Sequence, residues 1–536
     1  MAGQDSPGYP AGMSTTPPYR LLFNNDATNV GGCVSPFRPK GGVFTDERLA
    51  ASIEEAARAG ADCVILAPGL GWIPWWRSQV AGDHYHAWQV RTGLELDQYG
   101  RYMVSGGDMI ATHLRTCRRL GIGCFVSLRM NDVHMQERHS TGDALSIWVC
   151  RFYREHLDCL IEPQHHQVAG YYNRRGLDWG QQAVRDYKLS LVREMCAYAV
   201  DGLELDFLRD DHLFADTVPI TERLSLISGF CAQVRALLDA GPGDGAARRH
   251  LSVRIPHDPA RHAESGIDVG QLRAAGVDMF NCSGWYDTTQ RTDGIRQVRA
   301  QAPDASVYCE LTHSAGFHPY FLQSIRYGTS GNPRLSDCQL YTSARQALEA
   351  GAHGISLFNF VYYRQIEGVE ALDAVCCEPP FHALTHLLDR AFLATQPGHY
   401  HLGGTVYFRQ VPRTLGPAAP ESFLLETMAH PHAFAARLRV HTRMPVGSDT
   451  RLSARCNGAA LTPSAQTHRH FGNPYDPLVS PAGHRLAFTV PLEALRPGRN
   501  TLTLHQQGTE SLEVVYIDLG IDTKEPQAAL QDWSDA

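Results

Sequence analysis

The 536-residue sequence has no apolar run of membrane-spanning length, no C-x-x-C pair, no basic tract and no G-x-G-x-x-G. Each absence removes a class of protein. Without a long apolar run no helix is expected to cross a bilayer. The N-terminal M-A-G-Q-D-S-P-G-Y-P lacks both the charged start and the apolar core of a secretory signal, so residues 1–17 read as a flexible tail. The 14 cysteines are scattered, and Cys63, Cys124, Cys196 and Cys309 fall within apolar patterns, which reads as buried free thiols of a reducing, cytoplasmic compartment. A formal net charge of -8 offers no general attraction for nucleic acid or an anionic membrane. The 26 histidines include no H-E-x-x-H, and no G-x-S-x-G elbow occurs, so neither a metal nor a cofactor is expected, and a serine-hydrolase triad is disfavoured.

What is present is alternation. Strand-like runs fall at 21–25, 62–67, 124–130, 202–207, 251–256, 277–283, 306–312 and 354–360, with helical patterns between most of them. The exits repeat one phrase, helix then Ala-Gly or Leu-Gly then strand, as in A-R-A-G-A-D-C-V-I-L and L-E-A-G-A-H-G-I-S-L, where Gly suits a left-handed helix C-cap. Eight such units predict a (β/α)8 barrel over residues 18–395. From 396 to 523 short alternating runs at 405–411, 422–427, 435–441, 451–456, 484–490, 501–505 and 512–518 predict a small all-β sandwich, and 524–536 a second flexible tail.

The organising stretch is V-D-G-L-E-L-D-F-L-R-D-D at 200–211. As a strand it places Leu203, Leu205 and Phe207 on one face, and Glu204 with Asp206 on the other. Buried carboxylates need a reason: either an ion pair with an Arg of a neighbouring strand, or acid/base chemistry. In a barrel, chemistry collects at the C-terminal strand ends. Those ends carry Asn24 and Asp26, Arg129 and Asn131, Arg254 and His257, Trp285, Glu310 and His313, and Asn359, a convergent polar mouth whose members are candidates for binding substrate. The loop after the second strand adds Trp72, Trp75 and Trp76, an apolar cap or a platform for flat sugar faces.

The run L-D-W-G at 177–180, A-V-R-D-Y-K-L-S-L-V-R-E-M at 183–195 and V-D-G-L-E-L-D-F-L-R at 200–209 resembles the glycoside-hydrolase-like barrels related to the xylanase-type family. The fourth strand is also similar to that of chitinase-type barrels, but Leu208 stands where their catalytic Glu would be. In the large clan of retaining β-glycosidases the acid/base ends strand four and a Glu nucleophile lies on strand seven; Glu310 occupies the matching strand, while the usual Asn-Glu dipeptide is missing from strand four. The resemblance implies an O-glycosyl hydrolase acting on an oligosaccharide or glycoside, expected to be exo-acting, with Asp206 and Glu310 catalytic and Glu204 sharing the acid role or orienting Asp206. Carboxyl groups roughly 5–5.5 Å apart would give retention, the expected outcome, and roughly 6.5–9.5 Å inversion. A lyase or isomerase, a non-catalytic sugar-binding barrel, and assembly as a homo-oligomer stay open.

Overall fold

The computed structural model describes residues 18–134, 146–162, 176–241, 248–316, 332–367, 377–405, 408–465 and 483–523. Both expected tails, 1–17 and 524–536, lie outside them. Eight parallel strands close into a barrel: β1 (Leu21–Asp26), β2 (Cys63–Ala67), β3 (Gly123–Arg129), β4 (Gly202–Asp206), β5 (His250–Pro256), β6 (Met279–Ser283), β7 (Ser306–Thr312) and β8 (Gly354–Phe358). They run round the ring in chain order, and β8 pairs back onto β1. Each gap between successive strands holds a helix leading into the next strand, namely α1 (Asp46–Arg58), α2 (Met109–Leu120), α3 (Gln182–Cys196), α4 (Ile220–Ala240), α5 (Val269–Ala274), α6 (Asp293–Gln301) and α7 (Asp337–Glu349), with further short helices in the longer loops among the described residues. Their starts are capped by side chains where the sequence supplies them: Thr45, Asp108 and Asp268 each accept a backbone N–H, and Ser336 with Gln339 forms a capping box. The glycines after α1, α2, α5 and α7, namely Gly60, Gly121, Gly276 and Gly351, all have positive φ, as the repeated phrase implies.

The barrel interior is filled in layers, as closed parallel barrels are. At the bottom Leu22, Cys63, Ile65, Phe125, Met279 and Tyr308 form an apolar plug. Gly202 is required there, since a Cβ on it would stand 2.4 Å from the Phe125 ring. Above the plug the inward residues turn polar.

The C-terminal segment forms two antiparallel sheets around a second core that includes Tyr400, Phe423, Leu438, Leu502 and Ile517. It starts with β9 (Gly398–Leu402), which pairs with the last strand, Leu512–Asp522. This corrects the expected first strand at 405–411: the described residues of that run are not in a strand, and the run ends at a cis Val411–Pro412 bond. The sandwich packs on α7, whose residues from Gln339 to Leu348 are all buried. Polar contacts fix the junction: His399 N–H donates to Thr342 Oγ1 at 2.9 Å, Gln339 Nε2 to Tyr516 OH at 3.0 Å, and Gln346 Nε2 to the Glu426 carbonyl at 2.8 Å.

Candidate functional site

Register sets the first polar layer. Glu204 on β4 lies level with Ser127 of β3 and Ser252 of β5, small neighbours that leave room for its side chain. Its Oε1 accepts from Asn24 Nδ2 across the barrel at 2.7 Å and from Ser127 Oγ at 2.9 Å, while Oε2 has no partner. Burial, with the neighbouring Asp206 carboxylate, pushes the Glu204 carboxyl up to about 8, so it is a neutral acid at pH 7.

One layer higher, Asp206 lies level with Arg129 on one side and Arg254 on the other. Arg254 takes it. Its Nη1 donates to both Asp206 oxygens at 3.1 Å, while Nε and Nη2 reach Glu310 Oε2 and Oε1 at 2.9 and 2.7 Å. The guanidinium rests 3.9 Å from the centre of the Phe358 ring and is wholly buried. Burial opposes its charge, but the two carboxylates outweigh burial and hold its pKa above the ordinary value. Glu310 also accepts from Asn281 Nδ2 at 2.8 Å and from Ser283 Oγ, so both its oxygens are occupied. Asp206 differs: Oδ1 accepts the amides of Leu208 and Arg209 at 3.0 and 3.1 Å, whereas Oδ2 has Arg254 alone. The two carboxylates expected to face each other thus do share the mouth, but a guanidinium stands between them. The separation rule for retention or inversion presumes a substrate or water in that gap and does not apply to this pair.

A second network covers the β1–β3 side. Arg129 pairs with Asp26 and, at 2.8 Å, with Asp132; Asp132 also binds His134 Nδ1 and accepts the Gly71 amide at 3.0 Å. Burial alone would raise the pKa of Asp26 and Asp132, yet the surrounding cations hold both carboxyls below the usual carboxylate range. Behind Arg129, the buried Lys188 donates to its carbonyl at 2.8 Å and lies over the Trp72 ring; burial brings its pKa down to about 7.

Several expected binding residues have other duties. Asn131 holds the loop ahead of α3, donating to the Leu177 and His212 carbonyls and accepting the Leu177 amide. His257 lies one residue past β5 and is fully buried, its ring edge-on to Phe408 of the sandwich, and burial keeps it neutral down to about 4. His313 is packed edge-on to Tyr362 and Tyr363. Trp72 and Trp75 are corrected as a sugar platform. Trp72 is stacked among Phe152, Tyr187 and Lys188, and Trp75 lies flat on Tyr99 at 4.1 Å with its indole N–H given to Tyr85 OH. Trp76 donates to Glu194 of α3, so the loop is a cap against that helix. A groove of about 620 Å³ beside this cap, lined by Trp88, Phe152 and Tyr187 among others, contains none of the mouth carboxylates.

Trp285 and Asn359 do stand at the mouth with positive φ, two residues past β6 and one past β8, and Asp210 shares that conformation four residues past β4. Left-handed backbone at non-glycine residues is costly, and here it is concentrated at the C-terminal ends of three alternate strands. Arg209 was legible as a polar residue at the end of the fourth strand, without a role; sequence reasoning missed Asp210, His134, Tyr286 and Lys188, and only the charge run L-R-D-D carried a signal for Asp210. Asp210 accepts the Val133 amide at 3.0 Å, and burial lifts its carboxyl to about 6.

Two described clusters bring three metal-ligating groups within 4.8 Å: His113, Cys117 and Cys124 outside the barrel wall, and Asp132, His134 and Asp210 at the mouth. At the mouth, Asp132 is already paired with Arg129 and His134 with Arg209. Two cations in that shell oppose a third.

No family model matches the sequence, and no curated protein does. Among solved structures, Amy13B of Eubacterium rectale is 10% identical at a TM-score of 0.40, covering 92% of this chain and 96% of that one. An endo-fucoidan hydrolase of glycoside hydrolase family 107, MfFcnA4, is 12% identical at 0.40 over 96% and 69%. A glycoside hydrolase family 5 protein from Bacteroides vulgatus is 8% identical at 0.37 over 95% and 91%. Likenesses at this level transfer neither substrate nor catalytic residues to this chain.

Proposed function

We propose that the chain is a glycoside hydrolase whose reacting carboxylate is Asp206. The observation that carries this is the difference between the two carboxylates on Arg254: Glu310 is saturated, while Asp206 keeps one oxygen with a single partner. Arg254 Nη1 orients that oxygen, as a nucleophile or base requires. Glu310 then serves as a positioning residue, fixing Arg254 through two nitrogens. The proton donor in this reading is Asp210, at the same strand end, whose carboxyl stays protonated up to about pH 6. Two carboxyl groups held in different environments are what cleavage of a glycosidic bond uses.

The finer reading is exo action on a small oligosaccharide or glycoside, and a reducing compartment is supported by the eleven buried free cysteines among the described residues. The test is release of sugar from a panel of nitrophenyl glycosides and natural oligosaccharides, with chromatography of the products separating end-cleavage from internal cleavage. Binding without turnover by the parent protein across that panel would leave a sugar-binding barrel instead.

A further inference from the structure

We propose that the mouth takes an anionic sugar, one bearing a carboxylate or a sulfate, and that the acidic group docks on the open edge of Arg209. This deepens the carbohydrate reading and rests on it. Arg209 is 3% exposed, yet it forms no ion pair among the described residues. The other two arginines of the mouth each hold two carboxylates: Arg129 has Asp26 and Asp132, and Arg254 has Asp206 and Glu310.

Among the described residues the hydrogen-bond partner of the Arg209 side chain is His134, whose Nε2 lies 2.6 Å from Nη2. An arginine can only donate, so Nε2 is the unprotonated nitrogen and His134 is the neutral tautomer that donates from Nδ1 to Asp132. It lends Arg209 no negative charge. The flat face of the guanidinium covers the Tyr286 ring at 4.9 Å, while Nε and Nη1 have no acceptor. A buried cation with two idle donors is expensive unless something completes it.

A second observation points the same way. Trp285 Nε1 and Asn359 Nδ2 are also buried donors without acceptors, and they sit past β6 and β8 as Arg209 sits past β4. Alternate strands contribute to one layer of such a barrel. What these three side chains lack is acceptors, which a neutral sugar with hydroxyls that both give and take does not match. A planar or tetrahedral oxyanion on the sugar does, and the Nε/Nη edge of a guanidinium is the shape that binds it by two bonds.

Calorimetric titration of the full-length protein with glucuronate, galacturonate, glucose 6-sulfate, glucose and acetate tests this. The expected result is binding of at least one acidic sugar about tenfold or more tighter than glucose, weakening with added salt. Arg209→Met is expected to remove that preference, bringing the acidic sugars to the affinity of glucose for the same variant, with Arg209→Lys recovering the salt dependence but not the affinity. Uronate against sulfate identifies which anion is bound. Equal affinity for glucose and all the acidic sugars overturns the inference and leaves the glycosidase reading intact. Acetate bound as tightly as the uronates, with no sugar bound better, keeps an anion site and overturns the carbohydrate reading. If neither arginine variant folds, judged by its circular dichroism spectrum, the preference and salt dependence of the parent protein decide.

Discussion

Asp206 and Asp210 are four residues apart, and the exit from β4 gives them different chemistry. The first is bound to a guanidinium and two amides; the second is buried with one amide. Asp206→Asn is therefore expected to lower turnover about 10³-fold or more while sugar binding persists, and Asp210→Asn about 10²- to 10⁴-fold. With the parent, the rate should fall above about pH 6 as Asp210 loses its proton, and the Asn variant should lack that limb; an unchanged pH–rate profile would remove Asp210 from the mechanism. Glu204 makes a prediction about stability rather than rate. Folded, it keeps its proton up to about 8; unfolded, it loses it near 4.5. Between those values the unfolded chain binds fewer protons, so this contribution is fully present below about pH 4.5 and lost as pH rises towards 8, by an amount on the order of 3–5 kcal/mol. Glu204→Gln should therefore be more stable than the parent at pH 8 and lose the advantage near pH 5, as denaturant midpoints at the two pH values will show.

The elements obey simpler rules. Gly121 and Gly276 both end helices in left-handed backbone, but a Cβ at Gly121 meets open space whereas one at Gly276 stands 2.5 Å from Arg235 Cγ. Gly121→Ala should cost about 1 kcal/mol, from backbone alone, and Gly276→Ala clearly more, because Arg235 is tied to Asp278 and the Arg249 carbonyl. Equal losses in urea unfolding would count against the steric part. Such exits are local, so the repeated Ala-Gly and Leu-Gly phrases made the barrel readable from sequence. So did the alternation that turned Glu204 and Asp206 inward. The partner of Asp206 was not readable, because it depends on which residue of β5 lies level with it, and register is a property of two strands together. The neighbouring-strand ion pair considered for Glu204 in fact belongs to Asp206. Asp210 escaped for a related reason: β4 ends at Asp206, and the left-handed turn at Asp210 lies beyond the strand's alternation. β9 was missed because G-H-Y-H-L carries histidines on a face that is buried against α7, where polarity reads as exposure.

For the whole molecule the decisive contact is α7, a barrel helix with no exposed side from Gln339 to Leu348. The outer part of that surface belongs to the sandwich. A chain ending at 396 should therefore melt well below the full-length protein or precipitate, and a soluble fragment with an unchanged melting temperature would show the two cores to be independent. The same economy governs the mouth. Asp210, Trp285 and Asn359 hold side chains in backbone that glycine would occupy more cheaply. A laboratory population selected for heat resistance alone would find Asp210→Gly and Asn359→Gly among its gains, and would become sturdier and catalytically idle together. Selection that also demands growth on the natural substrate would hold those positions fixed, which makes the pattern of surviving variants a record of where the protein meets its substrate.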